Sequence, residues 1–135
     1  FSNSAWKQWE VVEFFGMLGL AGVVLVIKFL VRRERPEGEW GGIYRNTDPH
    51  SFPSGHAARS FLIAVIASVL APPWLAVVLW IWAPLVALAR TAMGVHYVSD
   101  VIAGAVLGII IGLIGLQVYQ PMIDWLTGLI GFPLW

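Results

Sequence analysis

Three short stretches hold most of the side chains able to do polar chemistry: KFLVRRERP at 28–36, PSGH at 53–56 and ARTAMGVHYVSD at 89–100. Lys28, Arg35 and Arg90 supply positive charge, and a guanidinium offers the planar, forked donors that grip an oxyanion. Pro53-Ser54-Gly55 opens a helix whose first amides have no internal partner and whose dipole favours a phosphate-like anion. His56 stands in that first turn. His96 and Asp100 are four residues apart at the start of another apolar segment. On a helix they share one face, so the carboxylate orients one imidazole nitrogen and leaves the other free. An imidazole held in that way is a nucleophile or a base.

Each feature alone has a plainer reading. Lys28 near a helix end snorkels to the interface, Ser54 caps its helix, His56 is interfacial, and Ser99 or Asp100 caps the next helix with His96 incidental. Arg32, Arg33 and Arg45 are expected at lipid headgroups or as loop charges. A metal held by His96 and Asp100 is the rival reading of that pair. Three cations would repel a dication and suit an oxyanion, which disfavours it. Taken together, the cations, the helix N-terminus, the His–Asp pair and the separate histidine fit phosphoryl transfer without a metal or other cofactor. His96 would attack phosphorus in line, and His56 would protonate the leaving oxygen. Water deprotonated by His56 would then release phosphate from the phosphohistidine.

The elements that must position these groups are membrane helices. Of 135 residues 59% are hydrophobic and 12% charged, against about 45–50% and 25% in soluble domains. Net charge is zero, so no whole-chain field points to nucleic acid, and the absence of cysteine excludes disulfides and thiolate chemistry. The chain starts at Phe1 with no recognisable signal peptide, which suggests a processed or trimmed N-terminus. Apolar runs at 11–31, 55–71, 74–89 and 98–119 predict four spans, the third interrupted by Pro84. Residues 32–52 form a polar, glycine-rich loop, APPW a tight turn, and the tail PMIDWLTGLIGFPLW is expected to lie in the interface. The expected fold is therefore an all-α integral-membrane bundle, a single domain over residues 1–135, with part of the site on the polar loop.

Counting crossings brings the loop, the start of the second span and residues 89–100 to one membrane face. The other face receives little beyond Lys7, Glu10, Gln117, Gln120 and Asp124. Gly104, Gly108 and Gly112 repeat every four residues and predict close helix packing, as do Gly16, Gly19 and Gly22 on the first span. Trp6, Trp9, Trp74 and Trp125 form an aromatic belt far from the motifs, while Trp80 and Trp82 face lipid or a neighbouring helix.

The three motifs, in this order, resemble the signatures of the type 2 phosphatidic acid phosphatase superfamily, which includes lipid phosphatases and vanadium haloperoxidases. Those signatures are Lys, six residues, Arg-Pro; Pro-Ser-Gly-His; and Ser-Arg, five residues, His, three residues, Asp, and every spacing agrees here. The resemblance covers residues 27–106. It implies that Lys28, Arg35 and Arg90 bind phosphate with help from Ser54 and the Gly55 amide. It makes His96 the nucleophile, Asp100 its orienting partner and His56 the general acid. The implied substrate is a lipid phosphomonoester or pyrophosphate whose tail stays in the bilayer. The implied surroundings are membrane lipids, not nucleic acid, and the particular lipid and the oligomeric state are left open. A vanadate-dependent haloperoxidase and a non-catalytic lipid-phosphate-binding scaffold are the alternatives.

Two departures stand out. Ala89 replaces the usual Ser beside Arg90, removing a hydroxyl contact to phosphate. Membrane members of the family commonly place two helices before the lysine-bearing one, so this chain is expected to be a minimal form or to lack the first helices. Arginines near the site face put it in the cytoplasm by the positive-inside rule. The resemblance implies instead an extracytoplasmic site in a plasma or inner membrane, and that expectation is adopted.

Overall fold

A computed structural model describes residues 3–37, 44 and 46–133. Among the described residues four helices make up the framework: α1 (Asn3–Val31), α2 (Gly55–Leu70), α3 (Pro73–Ala92) and α4 (Val98–Ile130). No strand occurs among the described residues, only one antiparallel bridge between Glu34 and His50. Local chemistry sets the helix ends. Ser54 caps α2 by accepting the Ala57 N–H, and Pro73 opens α3, where a missing N–H removes nothing from the helix ladder. Gly94 and Gly131 adopt left-handed backbone after α3 and α4.

α1, α3 and α4 are long and apolar enough to cross a membrane, whereas α2 has 16 residues. At 1.5 Å per residue α2 reaches about 24 Å, short of a hydrocarbon core of about 30 Å. It occupies the centre, packing on all three other helices. Val12, Leu20 and Val24 of α1 close on Ala58, Leu62 and Ile66 of α2 to form the buried core. Large side chains elsewhere point outward, Phe14, Leu30, Trp74 and Leu88 among them. In water such a surface would drive aggregation; in a bilayer it is the solvated face.

The tightest contact joins α2 and α4. Added Cβ atoms at Gly104 and Gly108 would collide with the carbonyl oxygens of Ser54 and Ala58, and one at Gly112 would lie 3.0 Å from Val65 Cγ1. The expected packing role of the α4 glycines is thus met backbone to backbone. On α1 it holds only for Gly16, which faces Leu62 and Ile66 at 3.5 Å, because Gly19 and Gly22 have open space beside them. Trp80 turns to a neighbour, donating Nε1–H to Ser68 Oγ at 2.7 Å and meeting Phe61 edge-on.

The tail departs from expectation. α4 continues through Pro121 to Ile130, 33 residues in all, instead of breaking into a separate interfacial segment. Proline removes one ladder bond from a helix, and an otherwise helix-favouring apolar sequence on both sides outweighs that single loss.

Candidate active site

The polar loop begins where α1 ends and folds back on itself. The Ser51 N–H donates to the Arg33 carbonyl at 2.8 Å, and the Glu34–His50 bridge continues the pairing. That return sets Asp48 and His50 above the last turn of α1. Lys28 Nζ donates to both Asp48 carboxylate oxygens at 2.9 Å and to the His50 carbonyl at 2.7 Å. Lys28 is therefore a buried member of a polar cluster, not a snorkelling anchor.

Arg35 is pinned on three sides. Its Nε donates to the Asp48 carbonyl at 2.7 Å, Nη1 to the Val95 carbonyl at 2.9 Å and Nη2 to Asp48 Oδ2 at 3.0 Å. Nη1 also lies 3.2 Å from His96 Nε2. Since guanidinium only donates, Nε2 must present its lone pair, which leaves the ring proton on Nδ1. Arg90, in the last turn of α3, donates Nη1–H to the Tyr44 hydroxyl at 3.1 Å. Both guanidiniums lie over the Tyr44 ring, 4.7 Å from its centroid for Arg35 and 5.0 Å for Arg90. Arg90 Nε and Nη2 are buried with no acceptor among the described residues.

His96 lies in the short connection before α4 and is 3% exposed. Burial, reinforced by the charges of Arg35 and Arg90, pushes its pKa down to about 4, so the ring is neutral at neutral pH. Asp100 is fully buried. Its Oδ2 accepts the Tyr97 N–H at 2.8 Å, and its Oδ1 accepts from Arg33 Nη1 at 2.9 Å. His96 Nδ1 stands 3.6 Å from Asp100 Oδ2, beyond hydrogen-bond length, as is common for such pairs before a substrate tightens them.

Lys28, Arg35, His56, Arg90 and His96 all line one cavity of about 350 Å³, together with Gly55, Tyr44, Asp48 and Arg59. The volume falls near the lower end of the roughly 300–1,000 Å³ typical of small-molecule sites. Four of its polar lining residues escaped sequence reasoning: Tyr44, Thr47, Asp48 and Arg59 lie outside any recognisable spacing. Ser54 and Asp100, also expected at the site, stand behind the cavity wall instead of lining it. The Ser54 hydroxyl caps α2 and its N–H donates to the Asp100 carbonyl at 3.0 Å, so it ties the two helix starts together.

Arg33 is neither a headgroup contact nor a loop charge. Besides Asp100 it donates to Ser99 Oγ at 2.7 Å, and its guanidinium lies over the Phe52 and Tyr97 rings at 5.1 and 5.7 Å. Flanking aromatics at 52 and 97 were the available signal, invisible until the loop and α4 are brought together. Arg32 keeps the role of an exposed charge, its Nε donating to its own helix end at the Phe29 carbonyl. Arg45 lies outside the described residues.

Residues 10–123 match the family model described as the PAP2 superfamily. Lipid A 1-phosphatase of Porphyromonas gingivalis is 30% identical over 116 residues, covering 84% of this chain and 24% of that protein. Decaprenylphosphoryl-5-phosphoribose phosphatase of Mycobacterium tuberculosis is 36% identical over 109 residues, covering 80% and 59% respectively. The chain thus spans well under two thirds of the length of these two relatives. The crystal structure of Aquifex aeolicus LpxE superposes with a TM-score of 0.69 at 28% identity, over 82% of this chain and 68% of that one.

Proposed function

The chain belongs to the PAP2 superfamily, and from that membership and its cavity we propose that it is a metal-independent membrane phosphatase acting on a lipid phosphomonoester or pyrophosphate. The observation that carries this reading is Arg90. Two of its donors are buried on the wall of a cavity shared with Lys28, Arg35 and His96, and no acceptor among the described residues meets them. A buried charged donor left unpaired is unfavourable by several kcal/mol on the usual scale, roughly 1–3 or more. A substrate phosphate supplies the missing acceptor.

In this reading Lys28, Arg35, Arg90 and the Gly55 amide hold the three non-bridging oxygens, whose charge they stabilise in the transition state. His96 Nε2 forms the N–P bond as the bond to the leaving oxygen breaks, and His56 gives that oxygen its proton. The neutral state of His96 is the form able to attack. Asp100 stabilises the imidazolium through Nδ1–H. Water, losing its proton to His56, then attacks phosphorus, breaks the N–P bond and releases inorganic phosphate. Polar groups gather at one end of the apolar bundle, so the lipid tail remains among the exposed apolar faces while the headgroup enters. We assign that end to the extracytoplasmic face of a plasma or inner membrane, and residues 1–135 to a single domain around one site.

The test is phosphate release from a lipid phosphomonoester with chelator present. His96→Ala should lower the rate by more than about a thousandfold while leaving membrane insertion and thermal unfolding intact. Wild-type protein quenched during turnover should hold acid-labile phosphate on histidine. Near-wild-type hydrolysis by His96→Ala would overturn the assignment.

A further inference from the structure

Asp48 places a carboxylate inside a cavity whose other charges suit phosphate. Its oxygens stand 2.9 Å from Lys28 Nζ and 3.0 Å from Arg35 Nη2, so it already occupies donors of two of the cations that line the cavity. We propose that Asp48 is an internal competitor for phosphate, setting how tightly the site holds both its substrate and the inorganic phosphate it releases. The proposal rests on the phosphatase reading above.

The cations do not depend on this carboxylate for their aim. With it removed, Lys28 keeps the His50 carbonyl, and Arg35 keeps the carbonyls of Asp48 and Val95. Nor does the backbone of Asp48 have to move. Arg35 Nε holds its carbonyl and its N–H donates to the Tyr44 carbonyl at 2.7 Å, while the side chain is 45% exposed and turns on short torsions of its own. Rotation of the carboxylate out of the seat therefore uncovers two preset donors.

Phosphate binding at Lys28 and Arg35 is then an exchange of one anion for another, whereas the buried Arg90 donors are met afresh. The exchange weakens substrate and product by the same factor. Such uniform weakening leaves the stabilisation of the bound transition state over bound substrate unchanged. A lipid substrate recovers affinity through its tail, whereas free phosphate has no tail. The returning carboxylate keeps a strongly cationic pocket from being trapped by its own product.

The experiment uses the full chain in detergent micelles, as wild type, Asp48→Asn and Asp48→Ala, at fixed ionic strength. Binding of inorganic phosphate is followed by calorimetry, and hydrolysis of a lipid phosphomonoester by phosphate release. Loss of one charge-assisted contact in a half-exposed setting corresponds to about tenfold in affinity. Both variants should bind inorganic phosphate about tenfold more tightly, with the inhibition constant for phosphate and the KM for lipid falling together and kcat not rising. Weaker or unchanged phosphate binding would overturn the proposal, since Asp48 would then aim the cations or be a bystander. Tightening for free phosphate with an unchanged lipid KM would overturn the claim that both ligands displace it. Calorimetry needs no turnover, so a chain that binds phosphate but releases none defeats the phosphatase reading separately.

Discussion

Replacing Gly108 by alanine should disturb the site from two helical turns away. A Cβ at this position would overlap the Ala58 carbonyl oxygen and lie 2.9 Å from its carbon and 3.1 Å from Ala58 Cα, where ordinary contact begins near 3.4 Å. All three neighbours are backbone atoms of α2, so no side chain can yield. α4 must back away from α2 by roughly an ångström to clear the oxygen, and overpacking of this kind destabilises by about 1–3 kcal/mol. The same movement opens the bond from the Ser54 N–H to the Asp100 carbonyl, now 3.0 Å, which joins the helix carrying His56 to the helix carrying Asp100. Catalytic groups tolerate roughly 0.5 Å of displacement, and a 1 Å error is associated with about a hundredfold loss of rate. Gly108→Ala should therefore lower both the melting temperature in detergent and kcat, the latter by about ten- to a hundredfold. Gly22→Ala, beside which nothing lies within 4 Å, is the control and should change neither. A Gly108→Ala protein as stable and active as wild type would refute the idea that the backbone contact holds the two halves of the site in register.

Two further outcomes follow from the same geometry. His96 titrates at about 4 in the folded chain against 6.5 unfolded, so the unfolded state binds more protons between those values. Stability should be complete above pH 6.5 and decline by up to about 3 kcal/mol as pH falls toward 4. Melting temperatures across that range should fall less steeply in His96→Gln than in wild type; an equal slope in both would exclude His96 as a source. Arg33→Ala removes the guanidinium that donates to Asp100 Oδ1, and because Arg33 is 39% exposed the expected loss is about 1–2 kcal/mol. We expect kcat to fall about tenfold with KM little changed and Arg33→Lys to recover part of it; a KM effect alone would place Arg33 in substrate binding.

What could be read without coordinates was whatever obeyed a period or a parity. Four apolar runs and their crossings brought residues 28, 35, 56, 90 and 96 to one end of the bundle, and the every-fourth glycines of α4 marked the α2 contact. Asp48, Tyr44, Arg33 and Arg59 obey no such rule. Asp48 and Tyr44 sit on a loop whose return path is decided by the Glu34–His50 pairing, and Arg33 finds its partner 67 residues away. Spacing also misled in places. Gly19 and Gly22 share the periodicity of Gly16 without facing a helix, because a period marks a face and not its neighbour. Pro121 suggested a break that α4 does not make, since a proline removes one bond and leaves the rest of the ladder intact.

The difference between Arg90 and the other two cations shows how such a bundle keeps charge available at a membrane surface. A cation carried by an apolar helix needs acceptors, and a carboxylate for each would leave a neutral cluster with no pull on phosphate. Here backbone carbonyls serve instead: His50 for Lys28, and Asp48 and Val95 for Arg35. They orient the cations without cancelling them. Tyr44 does the same for the guanidiniums with a ring face and a hydroxyl. One carboxylate, Asp48, is shared between Lys28 and Arg35, while Asp100 is spent on Arg33 and the start of α4. Positive charge therefore exceeds negative at the cavity wall, and the excess is concentrated at Arg90, beside the neutral imidazole of His96. An anion drawn to that excess arrives next to His96, so under the proposed mechanism the uncompensated charge that holds the ligand also selects where it reacts.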